Sequence, residues 1–268
     1  MNRTASATGR PRALACLYAA AAAAFISAPV ARAGDVHDLQ RGLPLEIEDT
    51  QTSEHREMQF QTPARYELED GGGDLLVLEP QLQYGFADNF HVEVSYPIYA
   101  GSGDRTGSGD VVVAGLYRFL DETSPGLGDE PWPSLAVKAE FELPTGINSD
   151  GLDTTLQFIA TKTITEADSQ DRLHFNLAWE HNMAADSGER ANRFAAVFGY
   201  SRKLSDQTVF LADILREQSL QEGAEATVIE GGVLHQLTEQ LTVSGGLGFG
   251  LGEESPDLRA TVGIQYTF

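Results

Sequence analysis

Cysteine is almost absent from this chain, and its one copy stands in a segment that we expect to be removed. The chain contains a single cysteine, Cys16, and Ala31-Arg32-Ala33 follows it as a small-x-small cleavage site. Cleavage after Ala33 leaves a mature chain without cysteine. That excludes disulfides, thiol catalysis and cysteine-ligated metal sites.

Long apolar runs are also lacking after Gly34. Residues 111–116 form one of the longest, whereas a membrane-spanning helix needs about 20 apolar residues. If the exported chain enters a membrane, it must do so as a closed β-barrel, because lipid leaves no other way to satisfy the backbone.

Basic residues are scarce. The whole chain has 18 Lys and Arg against 40 Asp and Glu. Four of the basic residues precede Gly34, so the mature chain has 14 basic and 40 acidic residues and a formal charge of −26. This balance argues against nucleic acid as a partner, and it favours cations wherever carboxylates line a pore. Disorder is opposed by 41% hydrophobic residues and by their regular alternation.

The first residues have the features of an export signal. Arg3, Arg10 and Arg12 form a positive region, and residues 13–26 form a short apolar stretch before the cleavage site. We predict a signal peptide over residues 1–33. Residues 34–56 are polar and lack alternation, and we predict a periplasmic leader there.

Alternation is the dominant pattern of the rest of the chain. In the closing segment, Leu258, Val262 and Tyr266 fall on one side of an extended chain, and Arg259 and Gln265 fall on the other. Such alternation is typical of a strand with lipid on one face and water on the other. Twelve segments of this kind can be counted: 57–69, 75–87, 90–98, 109–120, 133–144, 152–164, 172–182, 192–203, 208–217, 225–236, 240–251 and 257–268.

The connections alternate in length. The odd-numbered ones are rich in glycine or charge, as at residues 100–108 and 184–191, whereas several even ones are tight, as at Asp88-Asn89 and Thr238-Glu239. Short turns on one side and longer loops on the other are typical of outer-membrane barrels. We therefore predict a single up-and-down antiparallel barrel of about 12 strands over residues 57–268, with both termini in the periplasm. The connection 121–132 is long and breaks the rule.

The alternation also predicts which side chains face the lumen. The functional interpretation is a polar pathway that prefers cationic or neutral solutes; the alternative is a network of ion pairs that fills a closed barrel. The predicted pore-lining residues are Glu79, His91, Glu93, Arg118, Lys138, Glu140, Glu142, His174, Glu180, Glu230 and Arg259. Glycines on the inner face of the eleventh segment, such as Gly246, Gly248 and Gly250, would leave space or admit a neighbouring side chain.

The sequence contains none of the common motifs of hydrolases, nucleotide-binding proteins or zinc peptidases. Ser95 and Ser244 are candidates for an outer-membrane lipid hydrolase only because no spacing rule excludes them. We predict no catalytic residue, no cofactor and no metal site.

Several short motifs resemble one family. Gly109-Asp110-Val111, Tyr117-Arg118-Phe119 and Leu143-Pro144-Thr145-Gly146 occur in order, after residues 80–86 and Tyr96-Pro97. Together they resemble the outer-membrane transporters of the MetA pathway of phenol degradation. The resemblance covers most of residues 75–146 and the terminal strand. It implies an outer-membrane barrel and a channel for small aromatic or apolar compounds, without site residues that can be carried over.

These observations predict a non-enzymatic protein of the Gram-negative outer membrane that takes up small solutes passively. A closed structural or surface-binding barrel is the alternative, and it would be marked by a lumen blocked by side chains or by the leader. A lipid hydrolase ranks third. The expected partners are outer-membrane lipid and lipopolysaccharide, the barrel insertion machinery, periplasmic chaperones and a small-molecule solute. Phe268, as a terminal aromatic residue, would be the insertion signal.

Overall fold

The structure of the chain is a computed structural model. The structure describes residues 38–69, 72–102, 106–123, 132–146, 149, 151–165, 170–252 and 254–268. The predicted signal peptide and most of the long connection 121–132 therefore lie outside the described residues.

All regular elements of the described residues are β-strands. They are β1 (Met58–Leu68), β2 (Asp74–Leu78), β3 (Gln81–Ala87), β4 (Phe90–Ser95), β5 (Ile98–Gly101), β6 (Gly107–Ser108), β7 (Val111–Leu120), β8 (Ser134–Leu143), β9 (Asp153–Thr163), β10 (Arg172–His181), β11 (Asn192–Ser205), β12 (Thr208–Gln218), β13 (Glu225–Gln236), β14 (Leu241–Gly250) and β15 (Leu258–Thr267). No helix in this part of the chain has the length and apolar character that crossing a membrane would require.

The strands form one closed antiparallel barrel. Each neighbour in the order β15 to β7 pairs with the next, and β15 closes the sheet by pairing with β1, with Phe60 opposite Tyr266. Because β2 with β3, β4 with β5, and β6 with β7 are interrupted halves of single strands, the fifteen segments make twelve strands. The predicted barrel and its strand count are confirmed.

The interruptions follow from proline. Pro63, Pro80 and Pro97 lie beside one another in three neighbouring strands, and a proline has no N–H for the ladder. Their carbonyl groups still accept bonds from the next strand: the amides of Glu79, Tyr96 and Gly109 donate to the carbonyls of Pro63, Pro80 and Pro97 at 3.1, 3.1 and 2.8 Å. The wall is therefore continuous across the breaks.

Burial alternates along the strands as the sequence predicts. In β8, Lys138 and Glu140 are buried inside the barrel, whereas Val137 and Phe141 are exposed outside. Outward Leu, Val and aromatic side chains remain exposed around the barrel, as expected for a surface that meets lipid. We call the end of the barrel with Met58 and Phe268 the terminus end, and the opposite end the loop end.

The segment before β1 differs from its predicted position. Residues 38–57, which we call the plug, lie inside the barrel except for the exposed Glu54, His55 and Arg56, although a periplasmic leader was predicted for residues 34–56. The physical reason is its apolar content: Leu39, Leu43, Leu45 and Ile47 are only 2–3% exposed. Burial of such side chains is favourable by about 1.5–3 kcal/mol each. The segment has neither the alternation of a strand nor the periodicity of a helix, so its burial could not be predicted from such a pattern.

Candidate functional site: the plugged lumen

Glycines of the inner wall leave space into which side chains of the plug pack. A Cβ atom at Gly232 would lie 2.7 Å from Pro44, and one at Gly246 would lie 2.9 Å from Leu45. Gly199 faces Ile47 in the same way, and Gly263 faces Leu43. The predicted role of the inner glycines, to admit a neighbouring side chain, is thus observed at Gly246, with the plug as the neighbour.

One side of the lumen is apolar. Leu39, Leu45 and Ile47 of the plug form a buried cluster with inward side chains of β11, β12 and β13: Val197, Val209, Leu211, Leu215, Val228 and Leu234. The inward Val209, Leu211 and Leu215 of β12 are therefore apolar, although Asp213 also faces inward. Apolar residues can therefore stand on the inner face over residues 208–217, since the plug shields that face from water.

The other side holds the plug by charge. Lys138 contacts Glu48 at 2.7 Å, Arg41 contacts Glu140 at 3.0 Å, and Arg65 contacts Glu46 at 3.0 Å. The side chain of Asn176 bonds both backbone groups of Glu48: its oxygen accepts from the Glu48 N–H at 2.9 Å and its amide donates to the carbonyl at 2.7 Å.

Lys138 is the centre of a buried charge cluster. Its Nζ lies 2.7 Å from Glu48, 2.9 Å from Glu93 and 3.3 Å from Glu140, and His91 lies 2.9 Å from Glu93. All of these wall side chains are 0–4% exposed. One ammonium group thus faces three carboxylates away from water, so its loss would leave buried charges without compensation.

Two acidic side chains of the plug, Glu46 and Glu48, have pKa values shifted in opposite directions. Burial raises the pKa of Glu48, and Lys138 and Arg41 do not offset it because the carboxylates of Glu93 and Glu140 act in the same direction as burial. Burial would also raise the pKa of Glu46, but Arg65 and Arg259 outweigh it and lower that pKa. The difference is set by how many cations each carboxylate meets.

The terminus end is closely packed. Gln61 donates to Gln83 at 3.1 Å, and Gln83 donates to Ser53 of the plug at 2.7 Å. Gln61, Gln83 and His91 are each 0% exposed. The plug therefore fills the cross-section at this level, as the alternative of a blocked lumen required.

Two cavities lie on the loop side of the plug. They measure about 170 and 240 Å³ and share Arg41, Arg65, Glu79, Glu140 and Glu142 in their walls. The smaller cavity lies against the interrupted strands, where Tyr99 and Pro97 contribute. The larger lies against β8 to β12.

Most of the predicted pore-lining residues lie inside the barrel. Glu79 and Glu142 line both cavities, Glu93 and Lys138 the smaller one, Glu180 the larger one, and Glu140 both. His91, His174, Glu230 and Arg259 are buried among the plug contacts and wall networks. Arg118 lies at the terminus-end rim instead, where it pairs with Asp121 at 3.0 Å. Whether these residues line a conducting path remains a prediction.

Sequence reasoning missed the charged residues of the plug and several of their neighbours. Arg41, Glu46 and Glu48 were assigned to a leader, and Arg65 and Glu217 were passed over within alternating strands. Arg65 and Glu217 could have been found from the alternation alone. The plug residues could not, since their partners are more than 15 residues away in sequence.

The serine candidates do not assemble a hydrolase site. Ser95 donates to Glu79 at 2.7 Å, and in the described ranges no bond joins Ser95 or Ser244 to a histidine. His174 does meet Ser201 at 2.8 Å, but both are 1–2% exposed in the packed interior. Within the same ranges, no group of three or more His, Cys, Asp or Glu side chains is arranged to hold a metal ion.

Solved structures share the fold. An outer-membrane channel from Pseudomonas putida F1 superposes with a TM-score of 0.60 at 15% identity, covering 86% of this chain and 100% of that one. The NanC porin gives 0.54 at 10% identity, covering 78% and 98%. The KdgM porin, solved with disordered oligogalacturonate, gives 0.51 at 13%, covering 78% and 99%. At these identities the likeness concerns the fold.

Sequence comparison gives the family. No curated protein matches the chain. The family model described as "Putative MetA-pathway of phenol degradation" matches residues 69–268, which is most of the barrel and well over half of the chain. The chain therefore belongs to that family, as its strand motifs predicted.

Proposed function

We propose that the protein is an outer-membrane channel for passive uptake of small solutes, closed in this conformation by its N-terminal plug. The observation that carries the proposal is a charged, partly open lumen blocked by a segment of the same chain. The porins and the channel with the same fold support it, and so does membership of the family.

The way the plug is attached supports a movable closure. Its backbone bonds to the wall lie at its last residues, where Arg56 donates to Gly85 and Gly85 donates to Glu57 at 2.7 and 2.9 Å. Earlier in the plug, the amide of Asp49 donates to the carbonyl of Leu39, which also belongs to the plug, at 3.0 Å. Elsewhere side chains make the contacts with the wall, so displacement would leave the strand ladder of the barrel intact.

The location belongs to the same proposal. It includes export by a cleaved signal peptide over residues 1–33, periplasmic termini and insertion aided by Phe268. Phe268 donates its amide to Met58 at 2.9 Å and so completes the closing strand pair. In this orientation the plug closes the periplasmic end, and the cavities face outward. Insertion machinery, chaperones and lipopolysaccharide remain expected partners.

The solute is defined only as a class. Charged side chains dominate both cavities, which favours small polar or cationic solutes in the lumen. The family description connects these proteins with phenol degradation, so passage of small aromatic or apolar compounds remains a prediction for this chain.

A reversible cross-link tests the proposal. A Cβ atom at Gly246 would lie 3.2 Å from the Cβ of Pro44, near the 3.5–4.5 Å typical of disulfides. The mature chain has no other cysteine. In planar bilayers, the oxidised Pro44→Cys/Gly246→Cys protein should show no conductance steps, and a reductant should restore the steps seen with each single-cysteine variant.

Two outcomes would contradict the proposal. Equal conductance before and after reduction would show that the plug does not close the path. A barrel that never conducts, in the wild type or after reduction, would favour the second candidate, a closed structural barrel. The packed terminus end, with Gln61 and Gln83 at 0% exposure, is the observation in favour of that candidate.

A further inference from the structure

The larger cavity has an unequal set of charges. Six carboxylates and two guanidinium groups line it. Three of the carboxylates are already in ion pairs: Glu140 with Arg41, Glu46 with Arg65, and Glu180 with Arg193 at 2.7 Å. Glu142 and Glu217 have no ion pair or hydrogen bond within the part of the chain that the structure describes. Two carboxylates are therefore free to meet a ligand.

A buried amide points to the same ligand chemistry. Gln157 also lines this cavity and is 4% exposed. Its Oε1 has no hydrogen-bond partner among the described residues. A buried acceptor without a partner costs about 1–3 kcal/mol, and a ligand with N–H groups would remove that cost. This observation is independent of the acidic residues.

The far side of the cavity is apolar. Ala178, Ala195, Val197 and Leu215 contribute to its wall from β10, β11 and β12. The cavity of about 240 Å³ has the volume of about eight water-sized groups. A bare inorganic ion would leave this apolar surface without a partner, and an anion would be repelled by the carboxylates.

We propose that the larger cavity binds a small organic cation, with a primary ammonium group near Glu142, Glu217 and Gln157 and an apolar body against Val197 and Leu215. An ammonium group has three N–H donors, so it can bond to more than one of these acceptors. The smaller cavity differs, since Lys138, Arg41 and Arg65 face four carboxylates there. The inference rests on the proposed function, because it names the solute class held on the proposed route.

Calorimetric titration of the full mature barrel in detergent micelles tests the site. The probe is cyclohexylammonium chloride, with cyclohexanol as its neutral counterpart and potassium chloride as the inorganic cation. Cyclohexylammonium should bind at least tenfold more tightly than either. Glu142→Gln, Glu217→Gln and Gln157→Leu should each weaken its binding about tenfold, as expected for loss of a hydrogen bond to a charged group.

The matched control is Glu222→Gln, which removes the same charge from an exposed loop position and should leave binding unchanged. Heat-modifiable gel migration confirms that each variant is folded. Equal binding of cyclohexanol or potassium, or unchanged affinity in all three cavity variants, would overturn the inference.

Conductance of the same preparations separates the two proposals. Conductance without binding of cyclohexylammonium overturns the site and leaves the channel standing. Binding that follows the variant pattern, in a barrel that never conducts, supports the site and overturns the channel.

Discussion

The two sides of the lumen hold the plug by different physics. On the side of β11 to β15, glycines make room and apolar side chains cover Leu45 and Ile47, and Asp213 and Arg259 add polar contacts to Glu46. On the side of β1 to β10, ion pairs and the side chain of Asn176 bind the plug. Apolar burial depends little on pH or salt, whereas partly buried ion pairs respond to both.

The two sides therefore contribute differently to how firmly the plug is held and to how its binding depends on pH. The apolar side supplies contact area without direction, and the charged side fixes which plug residue meets which wall residue. We therefore expect that variants on the charged side change both stability and pH response, whereas variants on the apolar side change only how firmly the plug is held.

The largest effect should come from breaking the charged side at its centre. Lys138→Met leaves Glu48, Glu93 and Glu140 without their common cation, and removing one partner of a buried ion pair costs about 3–5 kcal/mol. Urea unfolding of the refolded barrel would measure the loss. Lys162→Met is the control, because Lys162 is 34% exposed and pairs with Glu122 outside the cluster. Its cost should stay below about 1 kcal/mol, and equal losses in the two variants would refute the cluster's role.

A smaller effect should follow from filling the space beside one of the inner glycines on the apolar side. Gly199→Leu places a side chain where Ile47 now packs, and overpacking costs about 1–3 kcal/mol. We expect the plug to leave more often, which planar-bilayer recordings would detect as a higher open probability. Gly245→Leu is the control, since a Cβ at Gly245 meets nothing within 4 Å. An unchanged open probability in Gly199→Leu would mean that Ile47 does not help to hold the plug.

The smallest effect should be a response to acid on the charged side alone. The pKa of Glu46 is lowered from its usual 4.5, so its contribution to plug binding is complete above that value and is lost as the pH falls through the lowered pKa. Glu48, with its raised pKa, has the opposite sign: its contribution is present below 4.5 and is lost as the pH rises through that pKa.

Comparing open probability at about pH 3 and pH 7 would measure this response. In the wild type, protonation of Glu46 should favour opening in acid, whereas the Glu48 contribution opposes it. Glu46→Gln should already be more open at neutral pH and should lack the opening that protonation of Glu46 causes, while Glu222→Gln should behave like the wild type. Identical pH profiles in the wild type and Glu46→Gln would exclude Glu46 as the titrating anchor.

Strand number and facing could be predicted because both are local. Alternation along β8 separates Lys138 and Glu140 from Val137 and Phe141 within ten residues of sequence. Closure of β15 on β1 was also foreseeable, since an exposed strand edge is not tolerated in lipid. The breaks at Pro80 and Pro97 were not anticipated, yet they leave the strand count unchanged.

The candidate site could be predicted only in part. The inward position of the wall carboxylates Glu140 and Glu142 could be predicted from the alternation along their strand, but their different roles could not. Glu140 is neutralised by Arg41 of the plug, a residue 99 positions away, and Glu142 is not. Arg118 has the right parity, but its position next to a turn places it at the rim with Asp121.

The sequence by itself determined a twelve-strand barrel with a charged interior and an apolar exterior, because polar and apolar residues alternate along the segments with the two-residue period of a strand. Only the tertiary structure decided what fills the middle. The plug has no period of its own, and its Leu, Ile and Glu side chains find partners on strands far apart in sequence. Those contacts exist only after the barrel has closed around them.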